Sequence, residues 1–463
     1  MLKFEDYHWP IMVGHTPFAH QKETTRFVIM NPRSYIFNQM GTGKTLSAIW
    51  AADILMRMGK IDKVLVVCPL STLQSTWGRD ISFNIPERDY IVVHGTKDYR
   101  SRALRTKAHF YLINHDGIKI MEEEIKQAKF PLIIIDELTA FKNFMAERTK
   151  AMFRVAYQAK GVWGMTGEPV PNSPLEAYGQ AKVVNPSNPY LPPYFTKFKN
   201  MVVESINEYI DIPRHDAPQT VNRILQPSIC YTREQCIDLP PCIKDIREIP
   251  LMPEQHKAYM EMKKELITEH QNGVITAANA AVKLIKLLQI AAGVVKDVDG
   301  NEMYYNCSNR LSEMHDIYQS TPQKKLVIFS AFRASVKMVH DYFERQENVK
   351  VAMIFGGTDQ KDRGQYISEF QGGQLNVLVI QPAAASHGIT LTAANTVVWH
   401  SLVSSNETYN QANHRIIRIG QTRGQYILHM IGCAAEKHML HLLDTKGEFS
   451  DRVMKTFEEI IYE

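Results

Sequence analysis

The hydrophobic positions of this chain gather into short, nearly continuous runs separated by mixed stretches. Segments 63–67, 90–93, 110–113, 132–135 and 162–165 are rich in Val, Ile, Leu and aromatic residues. A run that is apolar at consecutive positions predicts a strand covered on both faces, the pattern of a parallel sheet between helix layers. Residues 45–58 and similar stretches between several of these runs fit helices. The second half repeats the scheme, with strands predicted at 326–330, 349–354, 375–381, 396–400 and 425–430 and helical patterns at 334–347, 363–370 and 407–418. No sequence repeat underlies this; the repetition is architectural. The expected fold class is α/β, two tandem parallel-sheet lobes with small helical additions.

Between the halves the texture changes. Asn185-Pro186-Ser187-Asn188-Pro189-Tyr190-Leu191-Pro192-Pro193 and the segment 211–218 are proline-rich breaks that can continue neither a helix nor a central strand. Leu239-Pro240-Pro241 then reads as the crossing into the second half, followed by two helices at 254–270 and 276–292. We expect an N-terminal lobe over 1–238, with its addition at about 184–235, and a C-terminal lobe over 239–463, preceded by linker and helices at about 239–322. A length of 463 residues accommodates a core in each.

Composition narrows the class without naming it. A net charge of +4 is too small to mark a nucleic-acid binder by itself, so a basic surface has to be local. The six cysteines include no C-x-x-C pair, and the repeat of Cys230, Cys236 and Cys242 at every sixth residue is not a zinc spacing, so buried free thiols are expected. His438-Met439-Leu440-His441 has no acidic or cysteine company and reads as a helix face. The N-terminus lacks a signal-peptide layout, and no apolar stretch approaches the ~20 residues that span a bilayer. The expectation is a soluble intracellular protein.

Chemistry concentrates at two places. Gly41-Thr42-Gly43-Lys44-Thr45 follows the apolar run Ser34-Tyr35-Ile36-Phe37 and reads as a phosphate loop. Glycines let backbone N–H groups curl around phosphates, Lys44 offsets their charge, and Thr45 can hold Mg²⁺. Asn38 stands where the long form of this loop has its first glycine. Ile133-Ile134-Ile135-Asp136-Glu137 ends a buried strand on two carboxylates, placed to give a metal ligand and a water-orienting base. Far downstream, Gln411-Ala412-Asn413-His414-Arg415-Ile416-Ile417-Arg418-Ile419-Gly420-Gln421 sets two arginines three apart on a predicted helix, so that both leave one face. Such a pair suits the γ-phosphate of one ATP shared by two lobes. Upstream, the Gln21 amide has the donors and acceptor to read an adenine edge.

These motifs, in this order, resemble the superfamily-two helicase-like ATPases. So do Met165-Thr166-Gly167-Glu168-Pro169, Val327-Ile328-Phe329-Ser330 and His387-Gly388-Ile389-Thr390-Leu391-Thr392. The wording of Cys68-Pro69-Leu70-Ser71 with Trp77 beyond, Phe141-Lys142-Asn143 and Arg415-Ile416-Ile417-Arg418-Ile419-Gly420-Gln421 is similar to the Swi/Snf group of DNA translocases. The resemblance covers roughly residues 10 to 425. Departures are Glu168 in place of Thr, His414 in place of Gly or Asp, and Leu138-Thr139 in place of Ala-His. With little inserted between residues 253 and 324, the chain looks like a minimal engine of the kind phages encode.

The resemblance implies RecA-like lobes with ATP and nucleic acid at the cleft between them. Lys44, Asp136, Glu137, Arg415 and Arg418 would be catalytic. Gln21, Gly41, Thr42, Gly43, Lys44, Thr45, Gly388 and Gln411 would bind ATP, and Thr45 and Asp136 would hold Mg²⁺. Ser71, Thr72, Asn114, Ser330, Ser386 and Thr390 would contact the phosphates of one strand, which position a protein without reading bases. Trp77 reads as packing rather than base stacking. The implied activity is ATP-driven movement along duplex or branched DNA without sequence preference. A strand-separating DNA or RNA helicase with the same core is the alternative, and an ATP-gated clamp a lesser one. A cytoplasmic or nucleoid-associated location is expected, in the host cytoplasm if phage-encoded, with no membrane partner. Protein partners, pathway and polarity are not legible.

Overall fold

The computed structural model describes residues 4–10, 17–171, 173–205, 211–236, 241–271, 277–296, 301–385, 389–417 and 421–443. The chain divides into two compact units at Asp238/Leu239.

The first unit is built on strands β1 (Arg33–Ile36), β2 (Val64–Cys68), β3 (Tyr90–Val93), β4 (Phe110–Asn114), β5 (Leu132–Asp136) and β6 (Gly161–Met165). A small hairpin, β7 (Val203–Ser205) with β8 (Asp211–Pro213), follows, and β9 (Ser228–Ile229) completes the main sheet. The sheet order is β3-β4-β2-β5-β6-β1-β9, parallel throughout. Successive residues feed opposite faces: Leu65 and Val67 enter one core, Val64, Val66 and Cys68 the other. That double burial is why these strands read as unbroken apolar runs. The proline-rich break at 211–218 folds as the edge strand β8 and the start of helix Ala217–Ile224, where Pro218 sits in the first turn and needs no N–H partner.

The second unit carries β10 (Cys242–Glu248), a two-stranded ribbon of β11 (Val294–Lys296) and β12 (Glu302–Tyr304), then β13 (Leu326–Phe329), β14 (Val351–Ile354), β15 (Val377–Ile380), β16 (Thr396–Trp399) and β17 (Gln425–Ile431). Its six-stranded sheet has the order β10-β17-β16-β13-β15-β14 and is again parallel. Val327 and Phe329 face one core while Leu326 and Ile328 face the other. Helices Pro253–Gln271 and Ala277–Ala291 precede this sheet. Two parallel-sheet α/β lobes are therefore present, as the patterning predicts.

The cysteine expectation needs correction. Cys68, Cys230 and Cys307 are buried thiols, but Cys242 is exposed on the sheet-edge strand β10, and Cys236 and Cys433 are half-buried. An edge strand has one open side, so burial cannot be inferred from its sequence. Among the described residues no helix is long and apolar enough to cross a membrane.

Candidate active site

After β1 the chain turns through residues 37–43 before helix Lys44–Arg57 begins. Gly41 and Gly43 make the turn at φ 86° and 84°, a region that costs other L-residues about 1–2 kcal/mol. A Cβ on Gly43 would also lie 2.0 Å from Gln21 Nε2. Gln21 is buried, its Oε1 accepting from Phe18 N–H at 3.0 Å and its Nε2 donating to the Thr42 carbonyl at 3.3 Å. The structure thus sets this amide against the loop. His20 Nε2 meets the same carbonyl at 2.8 Å. A carbonyl only accepts, so Nε2 carries the proton, and burial lowers the ring's pKa and keeps it neutral. Nothing in the sequence separates His20 from a surface histidine except its place beside Gln21.

Lys44 Nζ donates to the carbonyls of Asn38 at 2.7 Å and Gln39 at 3.2 Å. Asn38, in the place of the missing glycine, is itself anchored by Nδ2 to Thr24 Oγ1 at 2.8 Å. Thr45 is half-buried in the first turn of the helix. The segment after β6 comes close because Gly167 has no side chain: a Cβ there would sit 3.1 Å from Met40 Cγ and 3.7 Å from Lys44 Nζ.

The acidic pair ends β5. Asp136 Oδ2 accepts from the Trp77 indole N–H at 2.9 Å and Oδ1 from the Glu137 N–H at 3.1 Å. Its carbonyl accepts from His115 Nε2 at 2.8 Å. Burial raises the Asp136 pKa, opposed by the Trp77 bond, the Lys44 charge and the Glu137 N–H. The Cys68 thiol next to it is pushed well up, by burial first and then by the Asp136 charge. Glu137 adopts φ 53° and ψ 62°, the left-handed region, and opens the short turn Leu138–Phe141. Strain of this kind in a non-glycine residue collects where side-chain direction matters.

Sheet order explains how distant motifs meet. Along β4-β2-β5-β6-β1 the C-terminal strand ends present, in turn, Asn114, Pro69 to Thr72, Asp136, Thr166-Gly167 and the glycine loop. In open parallel sheets ligands collect outside this edge. Ser71, on the turn Leu70–Thr72, is half-buried, whereas the Thr72 hydroxyl is buried and donates to the Pro69 carbonyl at 2.9 Å. A wide turn of π type, Leu73–Gly78, carries Trp77 inward until it has no exposed surface. Trp77 is a packing residue, as expected, but with its polar end on Asp136.

In the second unit two expectations are corrected. The predicted helix over 407–418 ends early: it spans Asn406–Asn413, and Arg415 lies in the turn beyond it. Asn413 Oδ1 accepts from the Trp399 indole at 2.9 Å, and the Arg415 carbonyl accepts from Leu391 N–H at 2.9 Å, tying this turn to the sheet. The argument that both arginines leave one helical face therefore fails; Arg418 lies outside the described residues, as do Ser386 and Gly388. Ser330 is fully buried, its hydroxyl 3.2 Å from His400 Nδ1 and 3.1 Å from Ser401 Oγ, and it offers no face to a phosphate. Gln411 is buried with Nε2 donating to Glu407 Oε1 at 3.3 Å, and Thr390 is half-buried.

Residues 20–295, more than half of the chain, match the SNF2-related domain, and residues 309–420 match the helicase conserved C-terminal domain. The chain belongs to the SNF2-related family and has its helicase-like ATPase core. It is 26% identical to putative protein p41 of Acyrthosiphon pisum secondary endosymbiont phage 1, over 88% of this chain and 89% of that protein. It is also 26% identical to the SWI/SNF-related matrix-associated actin-dependent regulator of chromatin subfamily A-like protein 1 of Drosophila melanogaster, over 91% of this chain but 53% of that protein. The chain thus spans about half the length of this second relative. Among solved structures, the Sulfolobus solfataricus SWI2/SNF2 ATPase core in complex with dsDNA aligns over 95% of this chain and 93% of its own, at 23% identity and a TM-score of 0.46.

Proposed function

We propose that this chain is an ATP-dependent translocase that moves along double-stranded DNA, following one strand's backbone without sequence preference. The observation that carries it is the row of groups along one sheet edge, with the glycine loop and Lys44 at one end, Asp136 and Glu137 in the middle, and Ser71 and Asn114 beyond. Phosphate chemistry and a second phosphate-binding surface would then share one rigid support. The family membership and the SWI/SNF-related relative support the DNA reading.

Residues 1–238 would be the ATP-binding lobe and 239–463 the second lobe of the motor. Lys44 would exchange its two loop carbonyls for the β/γ-phosphates, with Gly41, Thr42 and Gly43 lending N–H groups. The donor set fits Mg²⁺: a Thr45 hydroxyl, and an Asp136 carboxylate whose ionisation burial opposes and a cation would favour. The metal, when bound, supplies charge stabilisation on the phosphates. Glu137 would orient and deprotonate the attacking water. Arg415 and Arg418 would stabilise charge on the transferring group when ATP draws the lobes together, with Gln411 and Gly388 nearby in the chain. Gln21 would serve the adenine while bracing the loop.

The test is ATP turnover measured with no polymer, single-stranded DNA, duplex DNA, forked DNA and RNA, alongside triplex displacement and strand separation. Stimulation by duplex DNA with triplex displacement and no unwinding is expected. Stimulation by RNA alone would transfer the reading to an RNA helicase, and polymer-independent binding without turnover would leave an ATP-gated clamp.

A further inference from the structure

Arg100 occupies the helix Lys97–Arg105, between β3 and β4, and is only 6% exposed. Its guanidinium is held by neutral acceptors. Nε donates to the Gly95 carbonyl at 3.0 Å, Nη1 to Asn114 Oδ1 at 3.3 Å, and Nη2 meets His94 Nδ1 at 3.3 Å. Among the described residues no carboxylate pairs with it, and burial lowers its pKa with no acidic group opposing. Arginine stays charged regardless, so among the described residues this is a buried cation without a counter-ion, an arrangement that is costly unless an anion completes it.

The residue it grips ends β4 and pairs in register with Cys68 at the end of β2, beside Pro69 to Thr72. A guanidinium N–H can only donate, so the Asn114 atom facing it must be the oxygen. That fixes the amide: Nδ2 is left as the donor, and it makes no hydrogen bond within the described residues. Space for the pair depends on Gly117, where a Cβ would fall 2.5 Å from Arg100 Nη1 and 2.9 Å from Asn114 Oδ1.

We infer that Arg100 is a positioning residue of the polynucleotide track, locking the Asn114 amide so that Nδ2 donates to a backbone phosphate while the uncompensated guanidinium charge lies behind it. The inference rests on the DNA-translocase reading and adds to it the group that orients one contact. The phosphate oxygen becomes the anion that the buried cation lacks. The arrangement reads charge and no base, in keeping with sequence-independent binding.

A double-mutant cycle on duplex affinity tests it, using fluorescence anisotropy of the full chain with labelled duplex and melting temperatures for every variant. Arg100→Lys keeps the charge and loses the fork, and Asn114→Ala removes the donor. Each is expected to weaken duplex binding roughly tenfold, the worth of one hydrogen bond to a charged group. Because Arg100 acts through Asn114, the double variant should be little worse than either single one. Additive losses, or folded single variants with full affinity, overturn the inference. If Asn114→Ala does not fold, Asn114→Asp replaces it: the carboxylate pairs with Arg100 and retains stability, but cannot donate, so affinity should still fall. Unchanged affinity in folded Asn114→Asp likewise overturns the inference. A wild-type chain that binds neither duplex nor single-stranded DNA would instead sink the translocase reading on which this rests.

Discussion

The Trp77 indole N–H donates to Asp136 Oδ2 at 2.9 Å, so a fully buried tryptophan from the turn after β2 aims a carboxylate at the end of β5. Trp77→Phe retains most of the packing and removes the donor. We expect it to raise the Mg²⁺ concentration for half-maximal turnover several-fold and to cost about 1.5–3 kcal/mol of stability, as for a lost hydrogen bond to a charged group. Magnesium titrations of ATP turnover with parallel melts check this; an unchanged magnesium requirement in a folded variant removes the aiming role.

Glu137 lets strain and chemistry be separated. Glu137→Gln keeps the left-handed backbone and should bind ATP but lose turnover, because an amide is a poor base. Glu137→Gly relieves about 1–2 kcal/mol of steric strain and loses about 0.5–1 to chain entropy, so it should melt no lower than Glu137→Ala, which lacks the same side chain, while equally inactive. Near-normal turnover by Glu137→Gln would reject the assignment of the acidic pair.

The two loop glycines should respond unequally. Gly41→Ala meets nothing within 4 Å and suffers only its backbone angle, whereas Gly43→Ala also drives a methyl into Gln21. Gly41→Ala should therefore cost about 1–2 kcal/mol of stability and Gly43→Ala clearly more, with a larger loss of ATP affinity. Equal effects in melts and nucleotide titrations would mean Gln21 does not brace the loop. Lys44→Ala should abolish hydrolysis in either background.

Arg418→Ala is expected to leave ATP affinity within a few-fold while cutting DNA-stimulated turnover by roughly 10³–10⁵, with no rescue by lysine. Full DNA-stimulated activity in folded Arg418→Lys would remove the finger role and turn attention to Arg415.

Acid should destabilise the second unit. Burial pushes the His400 pKa down to about 3 and the His429 pKa to about 4, from an ordinary 6.5. Both folded values lie below the unfolded one, so the unfolded chain binds more protons between them, and stability falls as pH drops from 6.5 toward 4. Each histidine contributes a loss of up to about 1.4 kcal/mol per pH unit in that window and none above it. Melting as a function of pH for wild type and His429→Gln checks this; identical slopes would show that other groups carry the effect. Tyr409 OH, 2.8 Å from His429 Nε2, can donate to the replacement amide.

Local chemistry made much of this molecule legible in its sequence. Buried parallel strands are apolar on both faces, so runs such as 110–113 and 132–135 announced themselves to within a residue. Gly41, Gly43 and Lys44 were legible because the backbone angles and charge of a phosphate loop permit few alternatives. Asp136 and Glu137 stood out as the polar end of an apolar strand. The helix predicted over 407–418 was legible only in part: it ends at Asn413, whose side chain accepts from the Trp399 indole on β16, and the chain then turns so that the Arg415 carbonyl accepts from Leu391 N–H.

Neighbours distant along the chain were not legible in this way. Sequence places Trp77 fifty-nine residues from Asp136 and Arg100 fourteen from Asn114, and no pattern links either pair. Their meeting follows from the sheet order β3-β4-β2-β5-β6-β1, which crossover helices set through packing on both faces. Ser330 and Ser71 are both strand-end serines in sequence, yet one is sealed under His400 and the other reaches the surface. Burial is a property of the whole assembly of elements, so a residue's type and local period can propose a contact, and only the fold around it decides whether that contact can be made.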